Sequence, residues 1–430
     1  MAGPSLAHAH SLCRFIDGAP SPYHVVESGR TVLLDAGFSD VSGAEHPSGP
    51  GKYLICRDGS LMAWAIPDGA QPATPFRIVG AHTDSPNLRL KPQPEIDSYG
   101  YRRLGVEVYG GVLLNTWLDR DLGLSGRVTV RSEGGSAETR LVHIDAPILR
   151  IPQLAIHLDR EVSNTGLLLN KQQHLNPIYG LTEGGGSIWD AVANAADASR
   201  DEIVGSELML HDTVPCQVIG LDDELISAPR LDNQLSCHAA ITALSGTNPS
   251  DTIPVITLFD HEEVGSVSAA GAATASLPRL LERITTGLGG DSAAHHTALD
   301  GATFVSADNA HATHPNYPER HDPAHSIEMN GGPVLKHNAN QRYTTDAVTA
   351  GIFRLAAERA GVATQDFVSR SDLPCGSTIG PTVSALLGVR AFDVGCPQLA
   401  MHSAREVAGS HDPWDLTLLL AELLAHGDHS

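Results

Sequence analysis

The sequence predicts an α/β protein in which a three-layer α/β/α domain, built from both ends of the chain, is interrupted by a β-rich insertion. Short, almost wholly apolar runs such as IPVITLF at 253–259 are typical of buried strands in a parallel sheet. Segments with apolar residues at helical spacing alternate with these runs and indicate helices on both faces of the sheet. The middle of the chain instead consists of strand-like segments joined by glycine-containing turns.

The first part of the α/β domain ends on a strand that leads into a histidine and an aspartate. The run FRIVGA at 76–81 stops directly at His82-Thr83-Asp84. A proline-rich passage follows, and the insertion contains strands predicted at 106–114, 124–131 and 141–144. We place the domain boundaries so that 1–92 and 226–430 form the α/β domain and 93–225 forms the insertion.

The alternation of strands and helices returns from about residue 214. Strands are predicted at 215–219, 253–259, 303–306, 366–369 and 389–394, and helices at 235–244 and 346–359. In the second helix Val348, Ile352 and Leu355 follow the spacing i, i+4, i+7 of one helical face. The last helix is predicted to begin with Asp412 as its N-cap and Pro413 at its first position.

Composition narrows the class of protein. The 430 residues include 28 Lys and Arg against 50 Asp and Glu, a formal net charge of −22, which argues against a nucleic-acid partner. The six cysteines form no C-x-x-C pair, so neither a disulfide framework nor a thiolate zinc site is indicated. The amino-terminal segment lacks the pattern of a signal peptide, and no stretch reaches the roughly 18 apolar residues of a membrane span. We therefore expect a cytoplasmic protein with no membrane partner.

Histidine and carboxylate residues follow the ends of several predicted strands. Ligands of open α/β sheets bind beyond these carboxyl ends, and His with carboxylate suits a catalytic zinc site. Other interpretations remain open for single residues: Asp232 as a helix N-cap, Glu262-Glu263 as a solvated helix start, and Asp84 as part of a turn. The residues in question are His82, Asp84, Asp232, Glu262, Glu263, Asp308 and His402.

Eight segments follow one another in an order that recurs in one known family. They are GAHTDSPNLRLKP from Gly80, IPQLAIHLDR from Ile151, PRLDN from Pro229, LFDHEEVGS from Leu258, SADNAHATHPN from Ser306, GGPVLKHNANQRY from Gly331, SDLPCGSTIGP from Ser371 and MHSAREV from Met401. In these segments and their order the chain resembles the aspartyl aminopeptidases, a family of co-catalytic dizinc exopeptidases. The resemblance covers nearly the whole chain and implies a zinc-exopeptidase-like catalytic domain with an inserted dimerisation domain.

The resemblance also implies a role for each strand-end residue. His82 and Asp308 would bind one zinc ion, Glu263 and His402 the other, and Asp232 would bridge the two. Glu262 would act as general base towards a water whose pKa the metal lowers. Asp84 would accept the second ring N–H of His82 and so fix its tautomer. Mn²⁺ or Co²⁺ are possible substitutes at such a site.

Two further residues receive a role from the resemblance. His157, in the inserted domain, matches a histidine near the family's active site, where it would bind substrate or the transition state or act as an additional metal ligand; a structural role is the alternative. Lys336 matches the lysine that selects an acidic substrate residue, and a surface lysine is the alternative. Arg342 is a weaker candidate for this cation. Cys375 has no partner pattern of a nucleophile, so we expect its segment to be a loop that shapes the pocket.

The function implied is removal of an amino-terminal residue, preferably Asp or Glu, from short peptides. The alternatives are a related dizinc carboxypeptidase or N-acyl amino-acid deacylase, or a non-catalytic metal-binding scaffold. The family resemblance further implies assembly into a tetrahedral homododecamer. Because the chain itself is strongly acidic, selectivity for an acidic substrate requires cations inside the pocket.

Overall fold

The computed structural model describes residues 3–43, 49–132, 134–249 and 251–426. Within them the α-helices are α1 (Pro4–Gly18), α2 (Pro22–Asp35), α3 (Val162–Thr165), α4 (Ile188–Ala195), α5 (Leu231–Gly246), α6 (Ser276–Gly287), α7 (Ser292–Asp300), α8 (Ala347–Ala360), α9 (Ile379–Leu387) and α10 (Asp412–Ala425). The strands are β1 (Ser39–Asp40), β2 (Gly51–Arg57), β3 (Ser60–Ile66), β4 (Phe76–His82), β5 (Asn87–Ser98), β6 (Tyr101–Tyr109), β7 (Asp121–Arg131), β8 (Ala137–Arg150), β9 (Ile178–Leu181), β10 (Ile203–Asp212), β11 (Gln217–Ile219), β12 (Leu225–Ala228), β13 (Ile253–Phe259), β14 (Thr303–Ala307), β15 (Ala310–His311), β16 (Val334–His337), β17 (Gln365–Val368), β18 (Arg390–Gly395), β19 (Pro397–Leu399) and β20 (Glu406–Gly409). Among these helices, none has the length and apolar character to cross a bilayer.

A mixed sheet forms the centre of the α/β part, with the strand order β1-β2-β3-β13-β4-β14-β18-β16-β17. Its central strands β13, β4, β14 and β18 are parallel neighbours, as the continuous apolar runs predict. Antiparallel pairs occur towards the edges, between β2 and β3, β3 and β13, and β16 and β18. The carboxyl ends of β13, β4 and β14 therefore meet at one edge of the sheet.

Helices cover both faces of this sheet. Because side chains alternate along a strand, Val79 and Ala81 of β4 face one core, which they share with α1, α2, α5, α8 and α10. Phe76 and Ile78 face a second core with α6, α7 and α9. The two cores on opposite sides of one sheet give the three-layer α/β/α arrangement that the sequence predicts.

The insertion contains a closed barrel with the strand order β10-β5-β6-β9-β8-β7. Closure depends on β10, which pairs with both β7 and β5. Leu88, Leu104, Leu122 and Leu208 belong to its separate apolar core. A third, five-stranded sheet has the strand order β11-β12-β20-β19-β15 and is separate from the central sheet and from the barrel. The division of the chain at residues 92 and 225 stays a prediction.

Several predicted elements differ from the structure, among them the strand predicted at 141–144, which extends over Ala137–Arg150. The strand predicted at 106–114 ends at Tyr109, because Gly110 takes a left-handed conformation with φ of 74°. The strand predicted at 215–219 begins only at Gln217. Asp412 is not the N-cap of the last helix: it lies inside α10, and its carboxylate accepts the backbone N–H groups of Asn330 and Gly332 instead.

Candidate metal centre and active site

Candidate residues follow three neighbouring parallel strands at one edge of the sheet. His82 is the last residue of β4 and pairs with Phe259, the last residue of β13. Glu262 and Glu263 follow β13 in a short 3-10 helix, and Asp308 follows β14 directly. These four candidates line one cavity of about 590 Å³, at the position where α/β sheets bind their ligands.

Asp232 and His402 reach the same cavity from outside the sheet. Asp232 lies at the amino-terminal end of α5 with non-helical backbone angles, and Arg230 rather than Asp232 occupies the N-cap. His402 lies between β19 and β20 in a left-handed conformation with φ of 67°. Both backbone N–H groups donate to the carboxylate of Glu406, at 3.0 Å from Asp232 and 2.7 Å from His402. Glu406 therefore fixes the two residues relative to each other.

The carboxylate of Asp232 lies between the two histidines. Its Oδ1 is 3.5 Å from Nε2 of His82, and its Oδ2 is 3.3 Å from Nε2 of His402. The same nitrogen of His402 is 3.3 Å from Oε1 of Glu263. One oxygen thus faces each histidine, which is the arrangement of a carboxylate that bridges two cations.

Three polar atoms of this group are buried and lack a hydrogen-bond partner among the described residues: Nε2 of His82, Oδ1 of Asp232 and Oε1 of Glu263. Ligand atoms of these three residues all lie within 4.8 Å of one another. Buried polar atoms are nearly always paired in folded proteins, and bound cations would supply partners for these three. Because neutral imidazole and carboxylate are the usual ligands of catalytic zinc, the residues fit this metal.

Burial and the proximity of several carboxylates shift the pKa values of the residues that line the cavity. Burial, with Asp308 and Glu263 next, raises the pKa of Glu262 to about 8. Burial likewise raises the pKa of Glu263 to about 7. Burial opposes charge on His402, but the carboxylates of Asp232 and Glu263 outweigh it and raise the pKa of His402 to about 11. Such a site is favourable for divalent cations, which relieve the repulsion between its acids.

Asp84 forms hydrogen bonds with several of the candidate residues. Its carboxylate accepts the backbone N–H groups of Glu262 at 3.1 Å and Glu263 at 3.2 Å, and the hydroxyl of Tyr109 at 2.6 Å. Nδ1 of His82 lies 3.0 Å from the carbonyl oxygen of Asp84 and 3.4 Å from its Oδ1. The residue thus connects the strand-end histidine to both glutamates.

Residues 15–423 match the sequence profile of a peptidase family described as aminopeptidase I zinc metalloprotease (M18). The chain belongs to the M18 aminopeptidase family. A probable M18 family aminopeptidase 2 of Mycobacterium leprae is 51% identical over 409 residues, which cover 94% of this chain and 96% of that protein.

Solved structures of related enzymes have the same fold. Ape4, solved in complex with Nbr1, superposes with a TM-score of 0.94 at 37% identity, covering 98% of this chain and 86% of that one. The S. cerevisiae mApe1 dodecamer has a TM-score of 0.84 at 27% identity, covering 96% and 95%. These matches confirm the predicted fold class, a catalytic domain with a dimerisation domain.

The protein is therefore a zinc metalloaminopeptidase. Family membership decides between the functions that the residues alone left open, and it favours the aminopeptidase over the carboxypeptidase, the deacylase and the non-catalytic scaffold. The zinc cofactor expected from the sequence is confirmed at the level of the family.

The remaining candidates lie in different places. Lys336 is buried and lines the cavity, whereas Arg342 is exposed and is not among the lining residues. Cys375 is half-buried, and Gly376, which follows it, lines the cavity. His157 lies exposed in the 3-10 helix Ile156–Leu158, and it too is not among the residues that line the cavity.

Two supporting residues, Glu406 and Tyr109, were missed by sequence reasoning. Glu406 lies inside the quoted segment MHSAREV, only four residues after His402, so its acidic side chain next to a candidate ligand was an available signal. Tyr109 comes from the barrel strand β6, and no local pattern relates it to Asp84.

Proposed function

We propose that the enzyme removes an amino-terminal Asp or Glu from short peptides, with Glu262 as general base. The observation that carries the acidic preference is Lys336, which is the only Lys or Arg among the described residues that line the cavity. An acidic substrate side chain entering beside four carboxylates needs a cation, and Lys336 supplies one inside the pocket.

Lys336 is only 3% exposed, so its charge must be balanced within the protein. Its Nζ lies 3.8 Å from Oδ1 of Asp308 and 5.3 Å from the ring centroid of Tyr343. Asp308 is also a proposed zinc ligand. A carboxylate that shares its charge with a metal ion leaves Lys336 more able to attract a second carboxylate, that of the substrate.

For the metal ligands, we infer that His82 and Asp308 hold one zinc ion, Glu263 and His402 the other, and that Asp232 bridges them. The opposed contacts of Asp232 with the two histidines support the bridging role. When bound, zinc supplies Lewis acidity that polarises the scissile carbonyl and makes water a stronger acid.

Glu262 suits proton transfer by position and by acidity. Its backbone N–H is held by Asp84, and its side chain lines the cavity. Burial raises its pKa to about 8, which makes the carboxylate a stronger proton acceptor than an exposed glutamate. It would take a proton from the attacking water and pass it to the leaving amine nitrogen.

Assembly is the second part of the proposal. The S. cerevisiae relative is a dodecamer, and we propose a homododecamer for this chain as well. Leu154, Ile156 and Leu158 are exposed beside His157, as apolar residues of a subunit contact would be in an isolated chain. A substrate-binding role of His157 would then be exercised at a neighbouring subunit's site. The molar mass of the purified protein by light scattering tests the assembly, and a monomeric mass would refute it.

Hydrolysis of the 4-nitroanilides of Asp, Glu, Leu and Lys tests the general base. The wild type should prefer Asp or Glu. Glu262→Gln should lower kcat by at least about 10²-fold with zinc content retained, since general bases contribute this much. The exposed Glu358→Gln is the matched control. Activity of Glu262→Gln comparable to that of the control would refute the base.

The same substrates test Lys336. Lys336→Ala should reduce kcat/KM for Asp much more than for Leu, because only the acidic side chain loses its counter-charge. Lys91→Ala, which removes a lysine paired with Gln172 at the surface, is the control. Equal losses for Asp and Leu would show that Lys336 supports Asp308 rather than the substrate.

A further inference from the structure

A second group of metal-ligating side chains lies on the barrel, outside the catalytic cavity. It consists of His143 and Asp145 on β8 and His211 on β10, and ligand atoms of all three lie within 4.8 Å of one another. None of the three is among the residues that line the cavity of the active site.

The strand register explains why these side chains converge. His143 pairs with Ser125 of β7 and His211 pairs with Gly123 of the same strand, and directly paired residues of antiparallel strands share a face. Gly123 leaves the space between them open: a Cβ there would lie 2.6 Å from Nε2 of His211. Asp145 lies where the register of β7 and β8 shifts, and its Oδ1 is 4.0 Å from Nε2 of His143 and 3.6 Å from Nε2 of His211.

Hydrogen bonds fix the tautomer of His211. The hydroxyl of Ser125 donates to the carbonyl of Pro20 at 3.2 Å, because a carbonyl oxygen only accepts. The same hydroxyl oxygen lies 3.1 Å from Nδ1 of His211, and its proton is already used, so Nδ1–H must be the donor. Nε2 of His211 then carries a lone pair, and it is buried without a hydrogen-bond partner.

The lone pair of His211 faces a second acceptor. Nε2 lies 3.6 Å from Oδ1 of Asp145, and His211 is only 3% exposed. His82 and Asp232 in the catalytic centre show the same relation, with 3.5 Å between Nε2 and Oδ1 and with Nδ1 likewise used locally.

We propose that His143, Asp145 and His211 bind a divalent transition-metal ion, at a site separate from the catalytic centre. Two imidazoles and one carboxylate suit Zn²⁺ and its neighbours in the first transition row rather than Ca²⁺ or Mg²⁺. The side chains of His143 and Asp145 are 32% and 71% exposed, so the ion reaches the site from solvent and water completes its coordination. His24 of α2 lies edge-on to His143 with ring centroids 5.5 Å apart, which places the ion where the barrel meets this helix.

Zinc content measured on the full-length protein tests the site. Wild type, His143→Ala and Asp145→Ala are brought to equilibrium with the same free Zn²⁺ concentration by dialysis, and the protein-bound metal is then measured by mass spectrometry of the metal. Each variant should contain one zinc ion fewer per chain than the wild type and should still cleave the aminopeptidase substrate. The control is His325→Ala, which breaks a half-buried His–Asp pair of 2.8 Å with Asp322 that lacks a third ligand in the described structure. It should retain the wild-type zinc content, and equal zinc content in all four proteins would overturn the proposal.

A second measurement needs no variant. Crystals of the zinc-loaded wild type should give an anomalous-scattering peak at the zinc edge between His143, Asp145 and His211. Peaks at the catalytic centre without one on the barrel would also overturn the proposal. Because the catalytic ions serve as an internal reference, failure of the barrel site is distinguishable from failure of the proposed function.

Discussion

Replacing Glu406 by Gln tests whether the buried layer behind the metal ligands controls zinc binding. Glu406 is 1% exposed, and its two oxygens accept the backbone N–H groups of Asp232 and His402. Glutamine keeps the size of the side chain but offers only one acceptor oxygen, so one N–H faces an NH₂ group. Leaving a buried donor unpaired costs about 1–3 kcal/mol.

The unpaired N–H should change the relative position of Asp232 and His402, and zinc should therefore bind more weakly. Supporting residues of this kind typically change metal affinity or activity about 10- to 100-fold, which corresponds to about 1.4–2.7 kcal/mol and agrees with the hydrogen-bond figure. Burial raises the pKa of Glu406 to about 8, so a protonated wild type resembles the variant below that pH. The ratio of wild-type to variant zinc affinity should consequently grow as pH rises through about 8.

The assay is competition for zinc with a chelator at several pH values, together with kcat/KM for the Asp substrate. Asp412→Asn is the matched control, because Asp412 is equally buried and also accepts two backbone N–H groups, but it does so away from the metal centre. This control should keep its zinc affinity. If Glu406→Gln and Asp412→Asn bind zinc alike at every pH, Glu406 has no role in holding the ligands.

Two further outcomes follow from single contacts. Tyr109→Phe removes the 2.6 Å hydrogen bond to Asp84, so the free energy of unfolding in urea should fall by about 1–3 kcal/mol and kcat should fall with it; unchanged values would show that Asp84 does not depend on this contact. Burial raises the pKa of Asp412 from 3.8 to about 7, so the folded state binds its proton more tightly than the unfolded state does. Wild-type stability should therefore fall relative to Asp412→Asn as pH rises from about 4 to about 7, and a parallel pH dependence of the two proteins would contradict the raised pKa.

The elements that local sequence patterns define were predicted well, and the contacts between distant segments were not. The strand at 253–259 has the predicted bounds because an unbroken apolar run ends at a charged residue. His82 and Glu263 were identified as candidates for the same reason, since each follows a strand whose end is visible in the sequence. Closure of the barrel depends on Met209 pairing with Arg89, and no local pattern encodes a contact between residues so far apart.

The same distinction separates metal ligands from the residues that support them. A proposed ligand such as Asp308 is recognisable in the sequence because an acidic residue directly after an apolar strand is unusual, and this pattern is local. Tyr109 has no such pattern in its own segment, and its role arises only because its hydroxyl in the folded protein donates to Asp84. His157 is the opposite case. Its proposed role came from the family resemblance, whereas in the single chain it lies exposed on the surface.

The His82–Asp232 pair in the cavity and the His211–Asp145 pair on the barrel have the same local geometry but different surroundings. In each, a histidine uses Nδ1 locally and turns a bare Nε2 towards a carboxylate oxygen. In the catalytic centre Asp84 and Glu406 hold the ligands from behind and nearly all the ligand atoms are buried, so water competes poorly for the ion. On the barrel, Ser125 is the one described residue that hydrogen-bonds His211, and Asp145 is largely open to solvent. The barrel site should therefore hold its ion more weakly and exchange it faster.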